Sequence, residues 1–153
     1  MKQYSLVTDW HLAAPIEPVW EALARPAEWP RWWRYVEKVT EIEPGDERGV
    51  GARRRFTWSS RLPYRLSFEM RTTRMQRPRI IEGVASGELN GTGFWELEPG
   101  AGVTAARYTW TVMTDKAWMN ALAPLLAPVF SWNHGQVMRE GERGLARELA
   151  LRS

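Results

Sequence analysis

Few side chains in this chain are equipped for chemistry. Among its 153 residues are two histidines and no cysteine. His134 is the sharper candidate. It follows Trp132 and Asn133 and belongs to the series Phe130, His134, Met138, Gly141, Leu145 and Leu149. Steps of three or four residues trace one face of a helix, and this face is otherwise apolar. An imidazole there suits a general acid or base, or a group that orients a ligand carbonyl. The plainer reading is a buried histidine hydrogen-bonded to backbone or to Asn133. Glu88, in Ser86-Gly87-Glu88-Leu89, could work with His134 or bind a cationic group; otherwise it is solvated or paired with an arginine. Arg54 falls on the apolar side of its strand, unlike Arg53 and Arg55. It could grip a carboxylate or enolate oxygen through two N–H groups, or snorkel outward at the strand end. Asn133 could hydrogen-bond a ligand or cap backbone near Pro128. His11 sits among the polar positions of its strand and should face solvent.

Several chemistries lack their residues. Two histidines without cysteine form no recognisable metal-ligand cluster, so neither metal nor cofactor is expected. Gly49-Val50-Gly51 and Gly91-Thr92-Gly93 lack the following helix that a phosphate site needs. No Gly-x-Ser-x-Gly elbow occurs. Basic residues number 21 against 18 acidic ones, for a net charge of +3, and Arg53-Arg54-Arg55 alternates faces on a strand. Nucleic acid is therefore not an expected partner. No stretch reaches the length of a membrane span. Residues 1–15 contain Asp9 and His11 and no apolar run, unlike a signal peptide. With no cysteine, the expected location is cytoplasmic.

These groups must be positioned by elements legible in the pattern. Tyr4, Leu6, Thr8, Trp10 and Leu12 alternate with polar partners, a half-buried strand. Ala14-Pro15 opens a helix whose stripe is Ile16, Val19, Trp20 and Leu23, ended by Pro26. A short second turn holds Trp29, Trp32 and Trp33. Strands follow over 35–42, 50–59, 64–71, 79–89, around 95–97 and over 107–112. Their inward sets include Arg54, Phe56 and Trp58, then Tyr64, Phe68 and Met70, then Trp95, then Tyr108 and Trp110. Asn90-Gly91 signals a tight hairpin turn. Residues 118–151 read as one long helix.

Strand, two helices, six strands and a long helix make an α+β chain with an antiparallel meander. The length fits one domain over 1–153. An unbroken terminal helix would run about 50 Å and overhang such a domain, so a kink is expected at Pro124 and Pro128. Gly141 and Gly144 each cost about 1 kcal/mol in a helix interior; at least one should meet the sheet or a ligand too closely for a side chain. Ten tryptophans exceed what packing requires and suit a flat ligand. Each ring taken singly could simply be core. Trp29 to Trp33, read as exposed, would line a cavity entrance or a homodimer contact.

The order and several strings resemble the START-like superfamily, the polyketide cyclase/dehydrase and lipid-transport group. The resemblance rests on Ala14-Pro15 with Val19-Trp20, on Trp29-Pro30-Arg31-Trp32-Trp33, and on Gly49-Val50-Gly51. Leu62-Pro63-Tyr64, Ser86-Gly87-Glu88-Leu89 with Gly91, and Trp132-Asn133-His134 followed by Met138, Gly141, Gly144 and Leu145 complete it. It covers essentially the whole chain. It implies a helix-grip fold: a curved seven-stranded antiparallel sheet around the C-terminal helix, two short helices between strands 1 and 2, and a ligand tunnel between sheet and helix.

On that basis the first expectation is a protein that binds a hydrophobic small molecule, polyketide-, aromatic- or lipid-like. Trp10, Arg54, Trp58, Tyr64, Phe68, Trp95, Tyr108 and Trp110 would face the ligand from the sheet, and Phe130, Asn133, His134 and Met138 from the helix. The alternative is a cyclase or dehydratase in which His134, Tyr64 or Glu88 moves protons. A third reading is a regulatory domain that binds a partner. No acid–base pair stands out, which places binding first.

Overall fold

The computed structural model describes residues 2–63, 65–114 and 117–152, with backbone alone for 2–4, 114 and 117–127. Each alternating segment forms a strand. β1 is Lys2–Leu12, β2 Val36–Glu43, β3 Arg53–Trp58, β4 Leu66–Gln76, β5 Ile80–Gly87, β6 Asn90–Pro99 and β7 Thr104–Thr114. They form one sheet in the order β1-β7-β6-β5-β4-β3-β2, antiparallel at every pairing. β2 to β7 is a meander, and β1 returns to close on β7. Between β1 and β2 lie α1 (Ile16–Leu23), a single 3₁₀ turn (Pro26–Glu28) and α2 (Trp29–Trp32). The terminal helix α3 is Ala117–Arg152. This is the expected helix-grip arrangement.

The inward faces follow the alternation. Trp10, Leu12, Ala52, Phe56, Phe68, Trp95, Leu97 and Trp110 are buried, while Val7 between them is 57% exposed. The sheet must curl. β7 and β4 are separated by β6 and β5, about 14 Å in a flat sheet, yet the Phe68 and Trp110 rings stack at 5.8 Å between centroids.

α3 is gripped along its C-terminal half. Met138, Leu145 and Leu149 are buried with Trp10, Leu12, Trp20 and Trp33 in the main core. Both glycines acquire a reason. A Cβ on Gly141 would stand 2.7 Å from Trp33 Cζ2 and 2.8 Å from Trp10 Cζ2, and one on Gly144 would overlap the Trp32 carbonyl. Helix α2 and strand β1 therefore press directly on the α3 backbone. At the rim, Glu142 accepts the His11 backbone N–H at 2.8 Å, and Glu148 pairs with Arg31.

Three expectations change. First, α3 is assigned as helix through Pro124 and Pro128, with no separate leading segment. Overhang, the reason for expecting a break, is what the structure has: its 36 residues extend about 54 Å, and 128–132 stand exposed. Second, Trp29, Trp32 and Trp33 are buried, at 7%, 6% and 1% exposure. Trp32 stacks on Trp33, and Trp29 packs against Trp33 at a tilt; buried in the core, they offer no surface to a partner. Third, the β5–β6 turn is centred on Glu88 and Leu89. Gly87, at φ 120°, supplies its left-handed residue, while Asn90 and Gly91 already pair with β7.

Candidate functional site

Cross-strand register builds the concave surface. One row runs Arg54, Met70, Ala85, Gly91 and Val112 across five strands. The next runs Gly83, Gly93, Trp110 and Leu6. Its centre is therefore a floor without large side chains. Aromatic rings lie over that floor. A Cβ on Gly93 would meet the Tyr108 ring at 3.2 Å, so the glycine lets Tyr108 lie along the sheet. Tyr108 stands between Trp95, 4.5 Å away, and Trp110, 6.4 Å away.

The surface has two halves. Toward the C-terminal end of α3, Trp10 is 1% exposed and packs edge-on to Trp33 and Trp95. This half is closed core. The other half holds Phe68, Ala85 and Trp110, flanked by the partly buried Leu6, Trp58, Leu66, Met70, Leu89, Tyr108 and Val112. Trp58 belongs to both, meeting Trp33 edge-on at 5.1 Å.

His134 lies on α3 at the point where the helix changes character. One turn later Met138 is buried; one turn earlier Phe130 is 44% exposed. The imidazole keeps some accessible surface, yet burial pushes its pKa down to about 4. Low-dielectric surroundings disfavour the charged ring, so it is neutral at pH 7. Among the described residues it has no hydrogen-bond partner. Tyr108 resembles it: burial raises its pKa above the ordinary value, and its hydroxyl has no partner among the described residues. Arg54 points inward with no ion pair among them. Burial lowers its pKa, against the neighbouring Glu41 carboxylate. Asn133 Oδ1 and Trp58 Nε1 are buried without a hydrogen bond among the described residues, as are the Trp10 and Trp32 indole nitrogens within the closed half.

The remaining candidates fall elsewhere. Glu88 is exposed in the β5–β6 turn and accepts the Ser67 backbone N–H at 2.7 Å. It ties the sheet rim together and is not among the inward groups. Phe130 is outside the packed face. Tyr64 lies outside the described residues. No group of three or more metal-ligating side chains occurs among the described residues.

Two features escaped the sequence reading. The first is the floor of Gly83, Ala85 and Gly93; its signal was small residues at the inward positions of β5 and β6. The second is Trp33, whose indole N–H donates to the Val137 carbonyl at 2.9 Å. That bond sets the helix face carrying His134 against α2.

The comparisons agree with the fold. Comparison with curated protein sequences gives no match. Among solved structures, the Zhui aromatase/cyclase from Streptomyces sp. R1128 superposes with a TM-score of 0.80 at 16% identity, covering 96% of this chain and 93% of that one. A START superfamily protein from Mycobacterium smegmatis gives 0.79 at 11%, covering 97% and 99%. A protein from Thermus thermophilus gives 0.78 at 15%, covering 98% and 100%. At such identities these likenesses establish the fold alone. The sequence profile described as "Polyketide cyclase / dehydrase and lipid transport" matches residues 4–150, and the chain belongs to that family.

Proposed function

We propose that this protein binds a hydrophobic small molecule, ring-containing or acyl, between the concave face of the sheet and the α3 face at His134. One observation carries the reading. On a lining of aromatic rings stand several polar groups with no hydrogen bond or ion pair among the described residues: Arg54, whose nearby counter-charge is Glu41, His134, the Trp58 indole N–H and the Asn133 carbonyl oxygen. Leaving a buried donor or acceptor unmet costs about 1–3 kcal/mol each. A ligand with oxygens at matching positions offsets that cost. Apolar surface with few placed polar groups is the composition of a small-molecule site.

The chemistry follows from each group. Arg54 favours a carboxylate or enolate oxygen, held through two parallel N–H bonds. The Trp58 N–H donates to a carbonyl or hydroxyl. Neutral His134 can donate from one nitrogen and accept at the other. The rings of Trp58, Phe68, Tyr108 and Trp110 supply flat contact.

A cyclase or dehydratase is the second reading, favoured by the family. His134 ranks it second. An imidazole held near 4 is a weak general base at neutral pH, and Glu88, the carboxylate that would assist it, is tied to Ser67 at the rim.

Native mass spectrometry of protein purified without denaturant tests the reading, paired with titration by 2-naphthoic acid, a flat carboxylate. A co-purified hydrophobic molecule or saturable one-to-one binding supports it. Neither, from a folded sample, refutes it.

A further inference from the structure

We propose that the exposed stretch of α3 before His134 docks on the surface of a neutral phospholipid bilayer. The residues 128–132 are exposed without a break. At about 100° per residue, five consecutive positions go round the whole helix, so no face of this turn is packed. Four of its five side chains are apolar, with Ser131 the exception: beside Pro128, Val129 is 43% exposed, Phe130 44% and Trp132 49%. No charged residue occurs anywhere between Lys116 and Arg139.

A helix turn that is apolar on most of its sides, with a single serine, is normally enclosed. A protein partner would cover one side and leave the opposite one wet. The three side chains also expose only on the order of 300 Å² together, well short of the roughly 800 Å² a side of a stable dimer. Lipid headgroups and acyl chains surround a helix the way a solvent does, and a tryptophan suits the interface. No helix among the described residues is long and apolar enough to cross a membrane, so the proposed docking is on the bilayer surface. Because it carries no cation, binding does not need anionic lipid. Its position within one turn of His134 would open the proposed ligand site toward the membrane, but the docking stands independently of that reading.

The chain has no cysteine, so Ser131→Cys accepts a single environment-sensitive fluorophore. Glu47→Cys, exposed in the β2–β3 loop, is the control. With phosphatidylcholine vesicles the expected result is co-flotation of the protein and a blue shift at position 131 but not at 47. Phe130→Glu with Trp132→Glu should lower the vesicle-bound fraction at least about tenfold, as should the neutral pair Phe130→Ser with Trp132→Ser, with circular dichroism unchanged. Absence of flotation overturns the proposal. So does a shift at 131 that follows protein concentration without lipid and accompanies a dimer in sedimentation, since a second copy would then cover the segment.

Discussion

The Trp33 indole occupies the place where a side chain on Gly141 would stand. An ideal Cβ there would be 2.7 Å from Trp33 Cζ2, and the same indole donates to the Val137 carbonyl one turn back, at 2.9 Å. Ring and helix backbone are thus in direct contact, closed on the other side by Trp10. Gly141→Ala should therefore destabilise the protein by about 2 kcal/mol, although alanine is the better helix former by about 1 kcal/mol, because packed rings must move. Gly144→Ala should cost more, about 3 kcal/mol, since the obstacle is the Trp32 carbonyl of a main chain rather than a side-chain tip. Gly135 is the internal control. Nothing lies within 4 Å of a Cβ there, so Gly135→Ala should stabilise by about 0.5–1 kcal/mol. Urea midpoints of the three variants decide; equal effects at 135 and 141 would contradict the packing.

His134 predicts a pH dependence. Its folded pKa, about 4, lies below the ordinary value, so the unfolded chain takes up a proton first as pH falls. Stability contributed by keeping the ring neutral is intact above about pH 6.5 and declines toward about pH 4. A sealed imidazole would lose about 3 kcal/mol over that window; its residual exposure trims this to about 2 kcal/mol. The difference in urea midpoint between these pH values should shrink in His134→Leu. An unchanged difference would show that the ring is solvated.

Arg54 separates binding from stability. A partly desolvated guanidinium with only the nearby Glu41 as counter-charge, and no ion pair among the described residues, carries a modest cost that an apolar replacement of similar length removes. Arg54→Met should leave stability unchanged or raise it by about 1 kcal/mol. The same change should weaken 2-naphthoic acid at least about tenfold and the neutral 2-acetylnaphthalene much less. Equal losses for the two probes would remove Arg54 from the site.

Much of the architecture was legible in alternation. Val7 outward between Leu6 and Thr8, and Arg54 inward between Arg53 and Arg55, follow from a period of two that burial on one face enforces. Gly141 and Gly144 declared a close approach because helix propensity alone disfavours them. What they approach was not legible: α2 lies more than a hundred residues earlier, and only tertiary packing brings Trp32 and Trp33 onto α3. The same remoteness hid the burial of the Trp29 to Trp33 run, which reads as an exposed amphipathic turn until the sheet curls around it. The β5–β6 turn moved because Gly87 and Gly91 both offer turn chemistry, and pairing with β7 claims Gly91 for the strand. Of the candidate site, the inward aromatics were readable one strand at a time, whereas the absence of partners for Trp58 and Asn133 depends on distances between elements.

Trp58 gives the most direct test of ligand binding. Its indole N–H is buried and has no hydrogen-bond partner among the described residues, while those of Trp29 and Trp33 already donate to the Ala22 and Val137 carbonyls. In a ¹⁵N–¹H spectrum of the indole groups, saturating 2-naphthoic acid should move the Trp58 signal downfield, as a new hydrogen bond requires, and leave Trp29 in place. Trp58→Phe assigns the signal. A Trp58 resonance that stays fixed while the probe binds, or a probe that does not bind at all, contradicts a ligand site between the sheet and His134.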